Sequence, residues 1–497
     1  MPCLGTSCCR IMGFWVNYLT VGDSDGIIRY PRTVDRSAAT AEFLGLGGAA
    51  LRKLNPTQII AIGFPVIMLV GTILLMLPIS SAEHVMTSPL VAAFTSVSAT
   101  CVTGLVVVDT GTYFSTFGHV VILLLIQIGA LGFMSFAVIL SMLIRRRVTP
   151  RERMLIAQSY GLNSLEHITD LVKRIVAGTL LFELIGALIL ATQFVPIFGW
   201  GRGLWYGVFH SVTAFCNAGF DILGAYGGAF SSLSSFADNP VVCLTVIFLI
   251  LIGGIGFLVW TDVINFLRLR RRFSVYSRFV FFLSAVLLLG GAICFLLFEW
   301  SNPATFGDMP LGEKLLSALF QSMTLRTAGF SAVDNAALTD PSKLLGVLLM
   351  FVGGASCSTA GGVKLVTVGV VIIAVVRTMA GHREINLFGR RLTPEQFMRA
   401  AVLVFVQFAV ILLGTIVLIA HGGASPMAAL YEVTSAAGTV GISMGLTPAL
   451  GMLEQIMLMM IMYFGRVGIL TVTYAVARGQ SSAQNCVTYP DANLLIG

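Results

Sequence analysis

The chain has 497 residues, 57% of them apolar and only 11% charged, with a net charge of +7 and a mean hydropathy of +0.91. A soluble core cannot hide that much apolar surface, so composition excludes an ordinary soluble protein and points to a polytopic membrane protein. The basic excess does not indicate nucleic-acid binding, because the arginines are sorted between alternate connections of the chain.

Residues 1–55 hold no convincing span and no strong periodicity, and their Gly, Ser, Thr and Arg content predicts a flexible tail. No cleavable signal peptide is apparent, since the first strongly apolar run begins near Pro56. From there one pattern recurs four times: a full span, a short half-helix, a turn and a second full span. The spans are expected near 56–77 and 118–145, 168–195 and 240–267, 276–298 and 342–376, and 397–420 and 450–477. Several reach or approach the roughly 20 apolar residues needed to cross a bilayer. The half-helices, near 88–99, 203–214, 311–323 and 426–436, are too short for that. They are also too rich in hydroxyls (Thr95, Ser96, Ser98; Ser211, Thr213; Ser322, Thr324; Thr434, Ser435) to face lipid. The expected fold is an all-α integral membrane protein, four span–pore-helix–span repeats with pseudo-fourfold symmetry around one central pore. Its parts are an N-terminal tail (1–55), repeat 1 (56–147), repeat 2 (148–272), repeat 3 (273–392), repeat 4 (393–478) and a C-terminal tail (479–497).

Each half-helix carries an aromatic residue (Phe94, Phe209, Phe320, Tyr431) and leads into a turn ending on Gly104, Gly219, Gly329 or Gly441, spaced 115, 110 and 112 residues apart. Four similar turns around one axis can replace the hydration shell of a cation with backbone oxygens. If the C-terminal ends of the half-helices face that axis, each adds about half a negative charge there. Glycine suits the turns because a strained backbone leaves no room for a Cβ. The candidate cation-binding residues are Thr100, Cys101, Val102, Thr103 and Gly104; Phe215, Cys216, Asn217, Ala218 and Gly219; Leu325, Arg326, Thr327, Ala328 and Gly329; and Gly438, Thr439, Val440 and Gly441.

A glycine-rich stretch follows in each second span. Around Gly129 and Gly132 and around Gly253 to Gly256 it reads as close helix packing, and the same echo recurs at Gly465 and Gly468. In the third repeat it becomes Gly353, Gly354, Ser356, Ser358, Thr359, Gly361 and Gly362, a composition that should break the helix. Broken backbone at membrane depth must be buried in protein or line water, so 353–362 reads as an intramembrane loop beside the pore. Lys364 follows it. Arg466, in the fourth repeat, is expected to restrict the pore together with that loop. Arg326 is expected to be a buttress bonded to neighbouring carbonyls or to Glu432, and His210 and Glu432 to support the turns from behind.

Arginines crowd Arg145–Arg147 with Arg151 and Arg153, Arg268 with Arg270–Arg272, and Arg377, Arg383, Arg390, Arg391 and Arg399. The alternate connections carry only Arg202, Lys314 and Lys343, together with acids such as Asp109 and Asp221. The arginine-rich side, with both termini, is therefore expected in the cytoplasm. The nine cysteines include no C-x-x-C pair, and neither H-E-x-x-H nor a phosphate-binding G-x-x-x-x-G-K-[ST] occurs. No catalytic residue, covalently bound cofactor or enzymatic activity is expected, and any control by nucleotide would need a partner subunit.

These residues resemble the Trk/Ktr/HKT superfamily of potassium-translocating subunits, and within it the membrane subunit of bacterial Ktr systems (KtrB-type). The likeness rests on Asn55-Pro56, Thr327-Ala328-Gly329-Phe330, the run Ala355–Lys364, Phe464-Gly465-Arg466 and the closing Tyr489–Gly497, and it covers about residues 55–497. It implies potassium uptake, with sodium dependence as a trait of Ktr systems. It also implies a homodimer with one pore per subunit on a cytoplasmic nucleotide-binding (KtrA-type) ring, in a bacterial cytoplasmic membrane. Glycine in all four copies is the pattern associated with potassium, serine in the first with sodium. Cys357 departs from the family, whose copies often carry Pro or Gly there. The alternatives are an ion-coupled secondary transporter (a cation symporter) and a less selective sodium/potassium pathway; four repeats in parallel order argue against two inverted halves.

Overall fold

The computed structural model describes residues 56–132, 153–154, 168–382 and 384–468. The expected tails, Arg145–Arg147, Arg151, Arg383 and the far ends of the spans 118–145 and 450–477 lie outside the described residues. What is described from Pro56 on belongs to one compact unit, Asn55–Gly497.

The unit is almost wholly helical. Helix α1 (Pro56–Met76) is a continuous apolar run opened by a proline. Helix α2 (Pro89–Cys101) is capped by Ser88, whose hydroxyl accepts the amide of Val91, and α3 (Thr116–Leu131) by Ser115 in the same way. Helix α4 (Ile168–Cys216) is two helices joined end to end. Gly199, with φ 78°, breaks it into a long arm and a half-helix, between the stretches expected as span and half-helix.

The span expected at 240–267 is not straight. It divides into α5 (Pro240–Gly254) and α6 (Phe257–Leu269), bent by 97°. The glycine pair Gly253-Gly254 weakens the helix, and Gly256, at φ 93°, takes a conformation that a side chain resists. Then come α7 (Val275–Glu299), α8 (Leu311–Thr324), α9 (Asp340–Phe351) and α10 (Leu365–Met379). The stretch between α9 and α10 is non-helical, as its composition predicts. A two-residue hairpin (Asn386–Leu387 with Arg390–Arg391) leads to α11 (Pro394–Gly422), which a Thr393/Gln396 capping box starts. Helices α12 (Pro426–Gly438) and α13 (Met452–Val467) complete the described chain.

Among the described residues, four helices are long and apolar enough to cross a membrane, and the bent α5–α6 pair makes a fifth. Their outward faces expose Leu69 and Ile73, Leu184 and Leu188, Leu289 and Ile293, and Phe405 and Leu413, as helices solvated by lipid do. The half-helices are buried between them. One fastening recurs: Ser96, Ser211 and Ser322 donate to the carbonyls of Met68 (2.7 Å), Glu183 (2.6 Å) and Leu288 (2.8 Å). Each serine also sits where a Cβ on Gly71, Gly186 or Gly291 would be. In the last pair Gly414 meets Val433 instead. Small residues thus let a hydroxyl-bearing half-helix lie against an apolar span with its hydroxyl satisfied.

Candidate functional site

The four half-helices end alike. Val102, Asn217, Thr327 and Thr439 take left-handed backbones (φ 58°, 59°, 66° and 51°), and two residues on lie Gly104, Gly219, Gly329 and Gly441, at φ 92°, 68°, 86° and 94°. A left-handed valine is a genuine outlier, of the kind that costs on the order of 1–3 kcal/mol and persists where surroundings enforce it. The enforcement comes from each half-helix itself. Thr103 and Gly104 donate their amides to the carbonyl (2.8 Å) and hydroxyl (3.1 Å) of Ser98. Val440 and Gly441 do the same at Ser435 (2.8 and 3.1 Å), Ala218 donates to Thr213 (2.8 Å), and Ala328 and Gly329 donate to Thr324 (3.0 and 3.3 Å).

With the amides turned back, the carbonyls of Thr103, Ala218, Ala328 and Val440 are left over, and among the described residues no hydrogen bond reaches them. They lie in cyclic order. A Cβ on Gly104 would strike the oxygen of Ala218, one on Gly219 that of Ala328, one on Gly329 that of Val440 and one on Gly441 that of Thr103. The fourth turn therefore meets the first. The buried hydroxyls of Thr100, Thr103 and Thr439 and the amide oxygen of Asn217 also lack hydrogen-bond partners.

On one side of this ring lies a cavity of about 650 Å³, lined by the four glycines and by Asp109, Asp221 and Asp334. Asp109 ties two loops together, accepting from the amide and hydroxyl of Thr112 and from the amide of Phe230 (2.8 Å each). Burial, reinforced by the charge of Asp109, pushes the Asp221 carboxyl up to about 7 against the pull of the Leu223 amide.

The segment between α9 and α10 packs on the other side of the ring. Gly353 donates to Val363 (2.9 Å) and Leu365 to Gly354 (2.9 Å), closing the segment on itself. Its middle fills the break in α5–α6: Ala355 donates to Gly254 (2.9 Å), Thr359 to Gly253 (3.3 Å), and Phe257 donates to Cys357 (2.7 Å). Cys357 itself is left-handed at φ 56°. The hydroxyl of Tyr276 donates to the Ser356 carbonyl (3.1 Å), Ser358 turns inward onto Ala355 (2.6 Å), and Lys364 reaches the Ala360 carbonyl (2.6 Å). Three contacts join the segment to the turns: the Thr359 hydroxyl donates to the Phe215 carbonyl (3.2 Å), Gly361 abuts the Thr439 side chain, and Gly362 lies against Gly438. Gly362 donates to Gly465 (3.1 Å). Arg466, in the last turn of α13, donates to the carbonyls of Thr359, Gly129 (2.6 Å) and Ala130 (3.1 Å), clamping the segment to the end of α3.

Most expected site residues thus gather at two adjoining levels. Gly129 and Gly253 are packing residues, as expected, for a Cβ on either would strike the Thr100 or Phe215 carbonyl. Arg326 differs in its partner. It bonds the carbonyl and hydroxyl of Ser284 on α7 (3.4 Å each), while Glu432 instead accepts from Ser443 (2.9 Å) and Thr447. His210 is buried behind the second turn and bonds the Tyr206 carbonyl (2.8 Å). Sequence reasoning missed Gln127 and Glu183, which meet Cys216 from α3 and α4. The available signal was Glu183 itself, a lone acid deep in an apolar arm. Among the described residues, no group of three His, Cys, Asp or Glu side chains could hold a metal ion.

The family profile described as TrkH, cation transport protein, matches residues 49–485. The Ktr system potassium uptake protein B of Bacillus subtilis is 37% identical over 90% of this chain and 97% of its own length. The potassium/sodium uptake protein NtpJ of Enterococcus hirae is 34% identical over 90% and 98%, and the Ktr system potassium uptake protein B of Vibrio alginolyticus 33% over 90% and 96%. Among solved structures, the potassium transporter TrkH from Vibrio parahaemolyticus shares the fold, with a TM-score of 0.65 at 18% identity over 85% of this chain and 84% of that one.

Proposed function

The chain belongs to the TrkH family of cation transport proteins, and we propose that it is a potassium uptake pathway whose selectivity filter is the ring of turns at Gly104, Gly219, Gly329 and Gly441. The observation that carries this reading is the set of four unbonded carbonyls, each against the next turn's glycine, in an order that closes on itself. Oxygens with no protein donor are free to take the place of a cation's water shell. Four half-helices end there by their C-termini, each adding about half a negative charge. The four segments then act as quarters of one pore with pseudo-fourfold symmetry, which the recurrent serine fastening supports.

The 650 Å³ cavity is the outer vestibule, and the arginine-rich side faces the cytoplasm, so the membrane potential drives cations inward at about 2.3 kcal/mol per 100 mV. The segment 353–362, clamped by Arg466, is the gate under the filter. Homodimer formation and control by a cytoplasmic nucleotide-binding ring are part of the proposal, supported by the likeness to Ktr potassium uptake proteins. The likeness to a potassium/sodium uptake protein favours one second reading, a pathway that also carries sodium.

Uptake by the purified chain in liposomes, with potassium and sodium supplied separately, tests this. Potassium flux is expected in the wild type, with loss when any one of the four glycines becomes serine. Four substitutions without effect would end the pore reading.

A further inference from the structure

Behind the second filter turn, Gln127 of α3, Glu183 of α4 and Cys216 form a closed triad. The Gln127 Nε2 donates to both carboxylate oxygens of Glu183, at 2.7 Å each. The other end of the same amide, Oε1, accepts from the Cys216 thiol at 3.3 Å, and the Glu183 Oε1 is 3.7 Å from the same sulfur. Glu183 is only 5% exposed and Cys216 fully buried. A carboxylate inside a membrane-crossing helix is costly and is expected to serve a function rather than fill space.

The triad's position in the turn suggests that function. Cys216 stands three residues before its filter glycine, as do Cys101, Arg326 and Gly438. At that same place the third turn is held by Arg326 on Ser284. The gate also touches the second turn, through the Thr359 hydroxyl on the Phe215 carbonyl, as it touches the fourth at Thr439. Phe215 and Cys216 are adjacent, so one residue is held by a segment expected to move and the next by the wall. When the gate leaves, the wall contact acts on Cys216 together with the turn's own bond from Ala218 to Thr213 (2.8 Å) and the bond from Asn217 to Thr327 (3.2 Å).

Building on the filter reading above, we propose that Gln127 and Glu183 are positioning residues for the second filter turn, fixing the carbonyls from Phe215 to Ala218 and thereby the preference for potassium over sodium. Neither touches the ion. They act through Cys216, on the number and placement of the oxygens that replace the hydration shell of the cation.

The test uses the full chain in liposomes, with potassium and sodium uptake measured in parallel. Absence of potassium uptake by the wild type would defeat the filter reading itself, before any variant is compared. Given wild-type uptake, Glu183→Leu and Gln127→Leu are expected to lower the potassium/sodium uptake ratio at least about fivefold. The exchange Glu183→Gln with Gln127→Glu keeps one acid and one amide in contact, and should restore the ratio to within about twofold. Should the leucine variants not reach the membrane, the isosteric Glu183→Gln alone is expected to lower the ratio about threefold, because two acceptor oxygens become one. An unchanged ratio in Glu183→Gln, or reduced flux of both ions in proportion, overturns the proposal and leaves the triad as wall packing.

Discussion

The ring of four turns, the proposed filter, and the segment packed against it are both short non-helical backbone, yet they are fastened in opposite ways. Each filter turn spends its amides on its own half-helix, Thr103 and Gly104 on Ser98, Val440 and Gly441 on Ser435. The segment from 353 to 364 is fastened largely by other elements: Gly253 and Gly254, Tyr276, Gly465 and Arg466. A part held from within keeps its shape when its neighbours move, whereas a part held from outside follows them. The proposed division of labour, selection above and gating below, is what this difference would produce.

Three substitutions probe that contrast, and the filter side should show the largest effect. Gly219→Ala puts a Cβ 2.7 Å from the Gly329 Cα and 2.8 Å from the Ala328 oxygen, at a φ of 68° that alanine resists. Because every atom it meets is backbone, potassium uptake is expected to fall at least about 100-fold, measured as flux into liposomes or as growth on limiting potassium. On the gate side, Arg466→Gln removes a charge-assisted clamp on three carbonyls. Flux should rise about tenfold with the potassium/sodium ratio unchanged, since hydrogen bonds to a charged group are worth about 1.5–3 kcal/mol. A changed ratio would show that the two levels are not separable.

The smallest effect belongs to the vestibule. The Asp221 carboxyl, pushed up to about 7, is charged above that pH and neutral below it. Lowering the outside pH from 8 to 6 therefore removes a negative charge near the filter mouth, and uptake should fall about two- to threefold. Asp221→Asn should give the lower rate at both pH values. A pH dependence that survives this substitution would place the titrating group elsewhere.

Much of the local architecture is readable from one dimension, because it depends on local chemistry. A serine or proline at a helix start, a hydroxyl-rich stretch too short to cross, and a Gly-Ser-Thr run too loose to stay helical each carry their signal within about ten residues. The 97° bend at Gly254–Gly256 is harder to foresee. The sequence Gly-Gly-Ile-Gly is compatible with a straight, closely packed span, and the bend depends on donors and acceptors supplied by residues 355–359 about a hundred positions later. Arg326 likewise finds Ser284, 42 residues away, rather than Glu432, and Gln127 finds Glu183 across 56. Pairings at such separations obey no period, so only the assembled molecule reveals them.

The bent helix also bears on how the proposed pathway would open. With the α5 ladder interrupted, the carbonyls of Gly253 and Gly254 are covered by Thr359 and Ala355. Withdrawing that segment bares two acceptors in a setting with few donors, at a penalty of about 1–3 kcal/mol each. Something must cover them at once: solvent flooding the vacated space, or a straightened helix restoring its own ladder. Under the proposed gating, opening is a wetting transition as much as a mechanical one, and a bulky aliphatic side chain at Gly254 should keep the passage dry and shut.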